Sequence, residues 1–478
     1  MHDIPKTDNP GGERETGYQR ARAVFSLANI RLFVAFRVVF NARFYYPVFT
    51  ILFLDYGLTL EQFALLNTVW ALTIVLAEVP SGALADIIGR KQLLVTTSLF
   101  MIAEMALIAF VPLGNPRAVF YAFLVNRVLS GLAEALASGA DEALAYDTLV
   151  ERGLATEWPR VIELQMRAQN VGYIVAMTLG AAVYDSRLLN SLFDAFGWQL
   201  RLSQQESMRF PVYLTLLFAL AAFSITLRMR DPIAGRPLTG PLGRHSFAAT
   251  LWQVSRLTVQ AGGWIVRTPF ALAVILFAMT FDHTLRMLVT LTSEYYRLIH
   301  LPDASFGLLG SLVAVVGLFV PRMARLMVER YSPPRNMLIL AGGSILILAL
   351  LALFLPYAGL LPMMAVFVGL MLTGFFTSHY LNAITDSRQR ATVLSFKGLA
   401  FNAAYGFIGL VFAALVRHKR IELAAMHADW SGGAVTDAAF RQAVAYFPWY
   451  LAVGLLVAAA ICLPGMRRPQ RSAKEPQR

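Results

Sequence analysis

Ionisable side chains stand inside long apolar stretches of this sequence, where they are costly to bury. Asp282 and Arg286 lie four residues apart, and Arg127, Glu134 and Asp141 follow one another at seven-residue steps. On a continuous helix each set would share one face. Such a face must look into protein or water, where its groups can bind a charged ligand, carry a proton or neutralise one another.

Each of these groups is open to two interpretations. Asp282 and Arg286 either neutralise each other or form a proton carrier gated by the arginine. Arg127 and Glu134 either pair structurally or handle substrate or protons. Glu104 has no obvious local partner, so it is either a protonated, buried carboxyl or a proton-coupling site, because burial favours the neutral form.

The first apolar run carries a further candidate set. Arg37, Asn41 and Tyr45 fall at four-residue steps, which would place them on one helix face. Arg37 then either points inward, where it suits an anionic group of a substrate, or extends its charged head to the inner membrane interface.

The composition requires lipid around this chain. Its 478 residues are 57% hydrophobic and 15% charged, whereas soluble domains average roughly 25% charged. A soluble globule could not hide so much apolar surface in one core. A single cysteine, Cys462, excludes a disulfide framework. Motifs of nucleotide-binding, metalloprotease and hydrolase sites are absent, so we expect neither an enzyme nor a cofactor.

Twelve apolar runs are long enough to cross a bilayer as helices. The sequence therefore predicts an all-α membrane protein with twelve transmembrane helices. Their predicted limits are 30–54, 60–84, 92–113, 118–145, 164–184, 210–229, 268–292, 305–328, 335–356, 359–381, 391–416 and 443–464.

The distribution of basic residues predicts the orientation. With the N-terminus inside, 28 of the 41 Lys and Arg residues fall on inner segments and 9 on outer ones. Because basic residues are retained on the cytoplasmic side, both termini are predicted to be cytoplasmic. The run 417–420, which reads Arg-His-Lys-Arg, opposes this locally. The net charge of +12 is thus assigned to membrane flanks and not to a nucleic-acid partner.

The twelve runs divide into two groups of six. We predict an N-terminal six-helix bundle at 30–229 and a C-terminal six-helix bundle at 268–466, with cytoplasmic tails at 1–29 and 467–478. The cytoplasmic linker between them, 230–267, is rich in proline and basic residues. It contains either an amphipathic helix on the inner membrane surface or an unstructured connection.

The most informative local pattern stands where the second span meets the cytoplasm. Gly82 would let a neighbouring helix approach, and Gly89 would permit a tight turn. Asp86 would face a helix N-terminus, where exposed N–H groups favour an anion. Arg90 and Lys91 would remain at the lipid headgroups.

This pattern resembles the signature loop of the major facilitator superfamily: a Gly, then Leu-Ala-Asp, then Gly-Arg-Lys. Arg127 followed by Gly131 resembles the fourth-helix pattern of that family. The resemblance implies the two-bundle fold, with Asp86 against the start of the eleventh span at 391–394, latching the halves on the inner side. Asp141 is assigned to the same latch. The stretch 172–180 lacks the proline of the drug/proton antiporters, which disfavours that subclass.

We therefore predict a secondary transporter that moves a small solute by alternating access. Protons are the preferred coupling ion, since carboxylates lie at membrane depth and no ATP-hydrolysing domain is visible; family habit favours export. The alternative is a receptor or assembly scaffold that keeps the fold without transport. The expected partners are a small-molecule substrate, protons and the bilayer, with no metal, and the chain is expected to be monomeric. Its preference for Arg over Lys is typical of GC-rich bacteria, which places it in a bacterial inner membrane.

Overall fold

The computed structural model of the chain describes residues 23–138, 140–232, 247–384 and 387–466. Within these ranges the surroundings of Gly82 and the side chains of Asp86 and of most of the segment 391–394 are not described. The described residues form helices and turns, and none of them belongs to a strand. The all-helical prediction is therefore confirmed for this part of the chain.

The helices are numbered in chain order from residue 28. They are α1 Ala28–Asn41, α2 Phe49–Asp55, α3 Leu60–Ile88, α4 Arg90–Phe110, α5 Pro116–Ala137, α6 Ala140–Glu151, α7 Trp158–Tyr184, α8 Ser186–Ala195, α9 Gln204–Ser207, α10 Phe210–Arg228, α11 Phe247–Arg267, α12 Pro269–Thr290, α13 Thr292–Leu298, α14 Ser305–Gly317, α15 Val320–Arg330, α16 Pro333–Leu351, α17 Leu360–Ile384, α18 Ser387–Met426, α19 Gly432–Ala445 and α20 Phe447–Met466.

Ten helical segments of the described chain are long and apolar enough to cross a membrane, and they fall on ten of the twelve predicted spans. The first and fifth spans are the two that do not qualify. The first is divided into α1 and α2, each too short to cross alone. The fifth, α7, is 27 residues long, but its first half carries Arg160, Glu163 and Arg167.

Local sequence fixes where several helices begin and end. Thr59 accepts a hydrogen bond from the backbone N–H of Gln62 at 3.3 Å, and the Gln62 side chain returns the bond to Thr59 N–H at 3.0 Å. This reciprocal cap satisfies two N–H groups that a helix start leaves unpaired. Gly89 ends α3 with a φ of +90°, a conformation that favours glycine.

Several of the predicted spans contain a break in the helix. In the first span, α1 ends at Asn41. The chain continues through a 3-10 turn, Tyr46–Val48, in which Pro47 has no N–H to donate. The fourth span breaks at Ser138, between α5 and α6, and the eighth at Leu318 and Phe319, between α14 and α15. The seventh breaks at its end, at Leu291, between α12 and α13. Breaks at membrane depth are tolerated where the backbone is buried in protein or lines a cavity.

The break in the first span overturns one predicted face. Arg37, Asn41 and Tyr45 do not share a helix surface, because α1 ends at Asn41. The Asn41 side-chain amide instead donates to the Arg37 carbonyl oxygen at 2.8 Å. Four-residue spacing has no meaning across a chain that has left the helix.

The break in the fourth span overturns a second predicted face. Arg127 and Glu134 lie on α5, whereas Asp141 lies on α6, beyond Ser138. The seven-residue spacing therefore relates the first two residues only.

The helices α1–α10 are called the N-terminal group below and the helices α12–α20 the C-terminal group. Two helix pairs hold these groups together. In one pair α3 runs along α18, and the Thr68 hydroxyl donates to the Gly406 carbonyl at 3.0 Å. In the other pair α7 lies against α14. The approach there depends on Gly307, since a Cβ at that position would stand 2.2 Å from the Met177 carbonyl oxygen. These contacts position both groups around the space between them.

The linker helix α11 covers residues 247–267 and packs against both α3 and α18. A helix is one of the two alternatives left open by the sequence for this segment. Trp252, Val259 and Val266 are mostly exposed and stand seven residues apart, so they lie on one face of α11. Residues 233–246 lie outside the described ranges.

We expect Gly180→Ala to destabilise the protein strongly. A Cβ at Gly180 would lie 1.7 Å from the carbonyl oxygen of Phe44, in the break of the first span, so either α7 or the broken segment has to shift. Overpacking of this kind costs about 1–3 kcal/mol or more. The measurement is the thermal unfolding midpoint of detergent-purified protein, together with its monodispersity.

Gly342→Ala is the matched control, because nothing stands within 4 Å of a Cβ at that position. An alanine in the interior of α16 should leave the midpoint unchanged or raise it slightly. Equal midpoints for the two variants would contradict the close approach of α7 to the broken segment.

Candidate functional site

A central cavity of about 260 Å³ lies between the two helix groups. Both groups line it: the N-terminal group through the broken first span and α3, α5 and α7, and the C-terminal group through α12, α13, α14, α17 and α18. The lining residues are Arg43, Tyr45, Tyr46, Pro47, Phe49, Asn67, Trp70, Arg127, Ser130, Glu134, Tyr173, Met177, Arg286, Val289, Thr290, Thr292, Ser293, Tyr296, Phe306, Gly310, Val313, Phe367 and Tyr405.

The break in the first span brings Arg43 to this cavity. Its guanidinium Nη1 lies 2.5 Å from the Glu104 carboxylate, and both side chains are buried, at 4% and 0% exposure. Glu104, which the sequence leaves without a local partner, is thus in an ion pair across two spans. Sequence reasoning missed Arg43 as a site residue, because regular helix geometry would turn it away from the Arg37 face.

Arg127 reaches the cavity without a carboxylate partner in the described residues. Its Nε donates to the Asn126 side-chain oxygen at 3.0 Å, and its Nη2 is buried with no hydrogen-bond partner there. The rings of Phe49 and Phe53 stand 5.3 and 5.4 Å from the guanidinium carbon. Glu134 also lines the cavity, but the described ion pairs do not join it to Arg127, so the structural pairing that the sequence left open as one alternative is not among them.

The predicted pair on the seventh span does form. Arg286 bonds the Asp282 carboxylate through Nη2 and, at 3.0 Å, through Nε. Its Nη1 donates to the Asn402 side-chain oxygen at 3.0 Å, and the guanidinium carbon lies 4.9 Å from the centre of the Tyr405 ring. The arginine therefore links α12 to α18 while it faces the cavity.

Arg37 lies outside the cavity, near the predicted inner end of the N-terminal group. Its Nε is 3.3 Å from Asp141 and its Nη2 is 2.5 Å from Glu142. Asp141 is therefore occupied by a partner within its own group, which differs from its expected place in a latch between the groups. Asn41 is likewise absent from the cavity lining, whereas Tyr45 lines it.

The turn between α3 and α4 is fastened to the fourth span. Arg90 pairs with Asp147, and its Nη1 also donates to the Ala143 carbonyl at 2.9 Å. Arg90 thus binds α6, in contrast to its expected place among lipid headgroups. The surroundings of Gly82 and the side chain of Asp86 are not described. The predicted contact of Asp86 with residues 391–394 therefore lies outside the described part of the chain.

Charged residues join the two groups at the other end of the molecule, the end that the sequence predicts as outer. Arg297 of the C-terminal group lies 3.1 Å from Asp55 of the N-terminal group and 2.9 Å from Asp303. The Tyr184 hydroxyl bonds the same Asp55 carboxylate. These four residues, called the outer cluster below, join the two groups across the interface at this end.

Further polar contacts lie at the outer end. Asp185 accepts a hydrogen bond from the backbone N–H of Ala304 at 3.1 Å. Arg420 lies 2.9 Å from Glu61 on α3, and Lys419 lies 2.8 Å from Glu422. Two of the basic residues that oppose the predicted orientation therefore have carboxylate partners.

Glu294 is a buried carboxylate next to the outer cluster, beyond the ten candidate spans. Burial raises the pKa of Glu294 to about 7, with Arg297 opposing the shift and Asp437, Asp55 and Asp303 adding to it. Its Oε2 has no hydrogen-bond partner in the described residues. The sequence gave no signal that Glu294 is buried, since its burial depends on how the helices pack around it.

The family is decided by a sequence comparison. The sequence model described as Major Facilitator Superfamily matches residues 31–416. The chain belongs to the major facilitator superfamily. This confirms the resemblance seen in the turn after the second span. No curated protein sequence matches the chain significantly.

Solved transporters of the same architecture support this assignment at the level of fold. A single-site mutant of the nucleoside transporter NupG superposes with a TM-score of 0.66 at 14% identity, covering 91% of this chain and 100% of its own. A bacterial homologue of the human lysosomal transporter Spinster, inward-facing and unoccupied, gives 0.65 at 14%, with 93% and 98% coverage. A D-xylose–proton symporter gives 0.63 at 14%, with 91% and 96% coverage.

Glu294→Gln is expected to reduce the loss of thermal stability at high pH. Because the pKa of Glu294 is raised from 4.5 to about 7, the folded protein holds this proton more tightly than the unfolded chain does. Ionisation therefore costs stability progressively between about pH 4.5 and 7, by at most about 3 kcal/mol above that range. Glutamine cannot ionise, so the unfolding midpoint of the variant should gain on the wild type from about pH 5 to about pH 8.

The control is Glu163→Gln, which makes the same substitution at an exposed position on α7. A Glu294→Gln difference that is the same at both pH values would show that Glu294 does not titrate in this range.

Arg297→Gln is expected to open the outer end of the cavity, because it removes the cation that joins Asp55 to Asp303. Cys462 is the single cysteine, so Cys462→Ser gives a background in which Ser130→Cys reports on the cavity alone. A membrane-impermeant thiol reagent added from the outer side should label this cysteine several-fold faster in the Arg297→Gln variant.

Arg201→Gln is the matched control, since it removes an exposed arginine that pairs with Asp194 within the loop 185–209. Labelling at the same rate in all three backgrounds would show that the outer cluster does not close the cavity.

Proposed function

We propose that this protein is a secondary active transporter that moves a small solute through the central cavity by alternating access. The observation that carries the proposal is the cavity itself, which both helix groups line with charged side chains. A site shared by two rigid groups changes its accessibility when one group rocks against the other. The outer cluster would hold the state in which the outer end is closed.

The proposed membrane arrangement has twelve spans, with both termini cytoplasmic. Ten spans meet the length and hydropathy expected of membrane helices. The first and fifth would complete the set, since the first breaks at the cavity and the fifth places its polar half at the inner end. The proposed domains are the bundles 30–229 and 268–466, joined by the linker 230–267.

Two ion pairs, one of them fully buried, support proton coupling. Arg43 with Glu104 lies in the N-terminal group, and Arg286 with Asp282 in the C-terminal group, and both arginines line the cavity. A proton on either carboxylate would release its arginine to the cavity, which links protonation to the charge that a substrate meets. One similar structure is named a D-xylose–proton symporter, so the fold accommodates proton coupling.

The direction that we propose is export, which rests on family habit, and the proposed location is a bacterial inner membrane. The inner latch remains part of the proposal, with Asp86 as its acidic group and Gly82, Gly89, Arg90 and Lys91 shaping the turn that presents it. Arg90 would act there by fastening the turn to α6 through Asp147.

The rival function is a receptor or assembly scaffold that keeps the fold but does not transport. Charged pairs that face a cavity between two groups favour transport. Removing such charges from water costs free energy, and a scaffold has no use for charges placed there. If the biological output survives neutral substitutions of the charges in the fourth and seventh spans, the scaffold is favoured instead.

Proton coupling is tested in liposomes under an imposed pH gradient, with a solute selected by a thermal-shift screen of metabolites. Glu104→Gln and Asp282→Asn should each abolish gradient-driven accumulation and spare solute exchange. Each variant keeps the shape of the side chain but cannot cycle between ionised and neutral forms. Rates are compared with wild type over the same gradient.

Glu163→Gln, exposed and remote from the cavity, is the control and should accumulate solute normally. Accumulation at the wild-type level in both test variants would remove the two carboxylates as proton carriers. Failure of the wild type to move any solute, with or without a gradient, would refute the transport function.

A further inference from the structure

Three arginines line the central cavity, and they differ in how their charges are balanced. Arg43 has Glu104 at 2.5 Å, and Arg286 is bonded to Asp282. Arg127 has no carboxylate partner among the described residues. A buried cation without a counter-charge is costly, so the cavity holds one positive charge that a ligand could balance.

The surroundings of Arg127 orient its free edge. Its Nε is used by the Asn126 oxygen at 3.0 Å, and the Asn126 amide is itself held by the carbonyl of Glu104 at 2.9 Å. The arginine is only 4% exposed, and its buried Nη2 has no hydrogen-bond partner in the described chain. Tyr45 is a further hydrogen-bonding neighbour of Arg127. The unpartnered Nη2 group still offers N–H donors to the oxygens of a carboxylate.

Glu134 does not remove this charge. It stands seven residues further along α5, about 10 Å along the helix axis at 1.5 Å per residue. It lines the same cavity and is exposed to it. The two charges therefore sit at separate places, and the region around Arg127 stays positive.

Aromatic side chains dominate the remainder of the lining. Tyr46, Trp70, Tyr173, Tyr296 and Phe306 contribute from five elements around the cavity. Aromatic walls favour flat ring systems through stacked and edge contacts, and a cavity of about 260 Å³ admits a molecule of one or two rings.

We propose that the substrate class of this cavity is an aromatic carboxylate, with its anionic oxygens on the Arg127 guanidinium and its ring among the cavity aromatics. This inference rests on the proposed function for its biological meaning, but the binding step can be measured without transport. The phenyl rings of Phe49 and Phe53, whose centres lie 5.3 and 5.4 Å from the guanidinium carbon, compensate the unbound cation only in part.

The test uses four compounds that differ in one feature each. Phenylacetate carries the ring and the anion, phenylacetamide replaces the anion by a neutral amide, phenethylamine carries a cation, and cyclohexylacetate keeps the anion without the aromatic ring. Binding to detergent-purified full-length protein is followed by calorimetry and by the shift in thermal midpoint. We expect phenylacetate to bind at least tenfold more tightly than each of the other three.

Arg127→Met should weaken phenylacetate binding by about 10- to 100-fold, as expected for loss of hydrogen bonds to a charged group, and leave phenylacetamide unchanged. Arg127→Lys, which keeps the charge but not the paired donors, should fall between the two. It also serves if the methionine variant fails to fold. Arg167→Met, which removes an exposed arginine paired with Glu163, is the charge-matched control and should bind as wild type.

Equal affinity for acid, amide and amine would overturn the proposal, as would no binding of phenylacetate or wild-type binding by both Arg127 variants. These outcomes are distinct from failure of the proposed function. Phenylacetate bound through Arg127 but never moved in liposomes would refute transport and leave the site standing. Transport of a solute without an anionic group, unaffected in Arg127→Met, would refute the site and leave transport standing.

Discussion

The cost of placing charge away from water is the constraint on which the rest of this structure depends. An ionised side chain in a bilayer must find a partner, a cavity or the interface. Glu104 meets this requirement through Arg43, and Asp282 through Arg286. Arg127 meets it only in part, through Asn126 and two aromatic rings. The placement of charge thus marks the central cavity as the place where the chain can respond to a ligand or a proton.

Broken helices create that place. A regular helix satisfies its own backbone hydrogen bonds and turns only one of its faces to the cavity. The break after Asn41 lets Arg43, Tyr45 and Tyr46 enter the cavity, and the break at Leu291 lies opposite. There the Thr50 hydroxyl donates to the Thr290 carbonyl at 2.6 Å. The first and seventh spans therefore meet beside these breaks, and irregular backbone of this kind lines the sites of many transporters.

The two ends of the molecule are held by different interactions. At the outer end Arg297 is shared by Asp55 and Asp303 across the interface, and Glu294 lies buried beside them. At the end that the sequence predicts as inner, Arg90 and Arg37 bind carboxylates of the fourth span within their own group. In the proposed cycle the outer charges must separate and the inner ties persist, so that the N-terminal group moves as one body.

Composition and apolar run lengths alone determined that the chain is an all-helical membrane protein, and the turn at Gly89 indicated its family. These features are local, so they can be recognised without knowing how the helices pack. The partners of Glu104 and Arg297 were decided only by the tertiary structure, because each contact joins residues far apart in the sequence. The same holds for the faces of Arg37 and Asp141: helical spacing predicts neighbours only while the helix continues, and whether it breaks is settled by what packs against it.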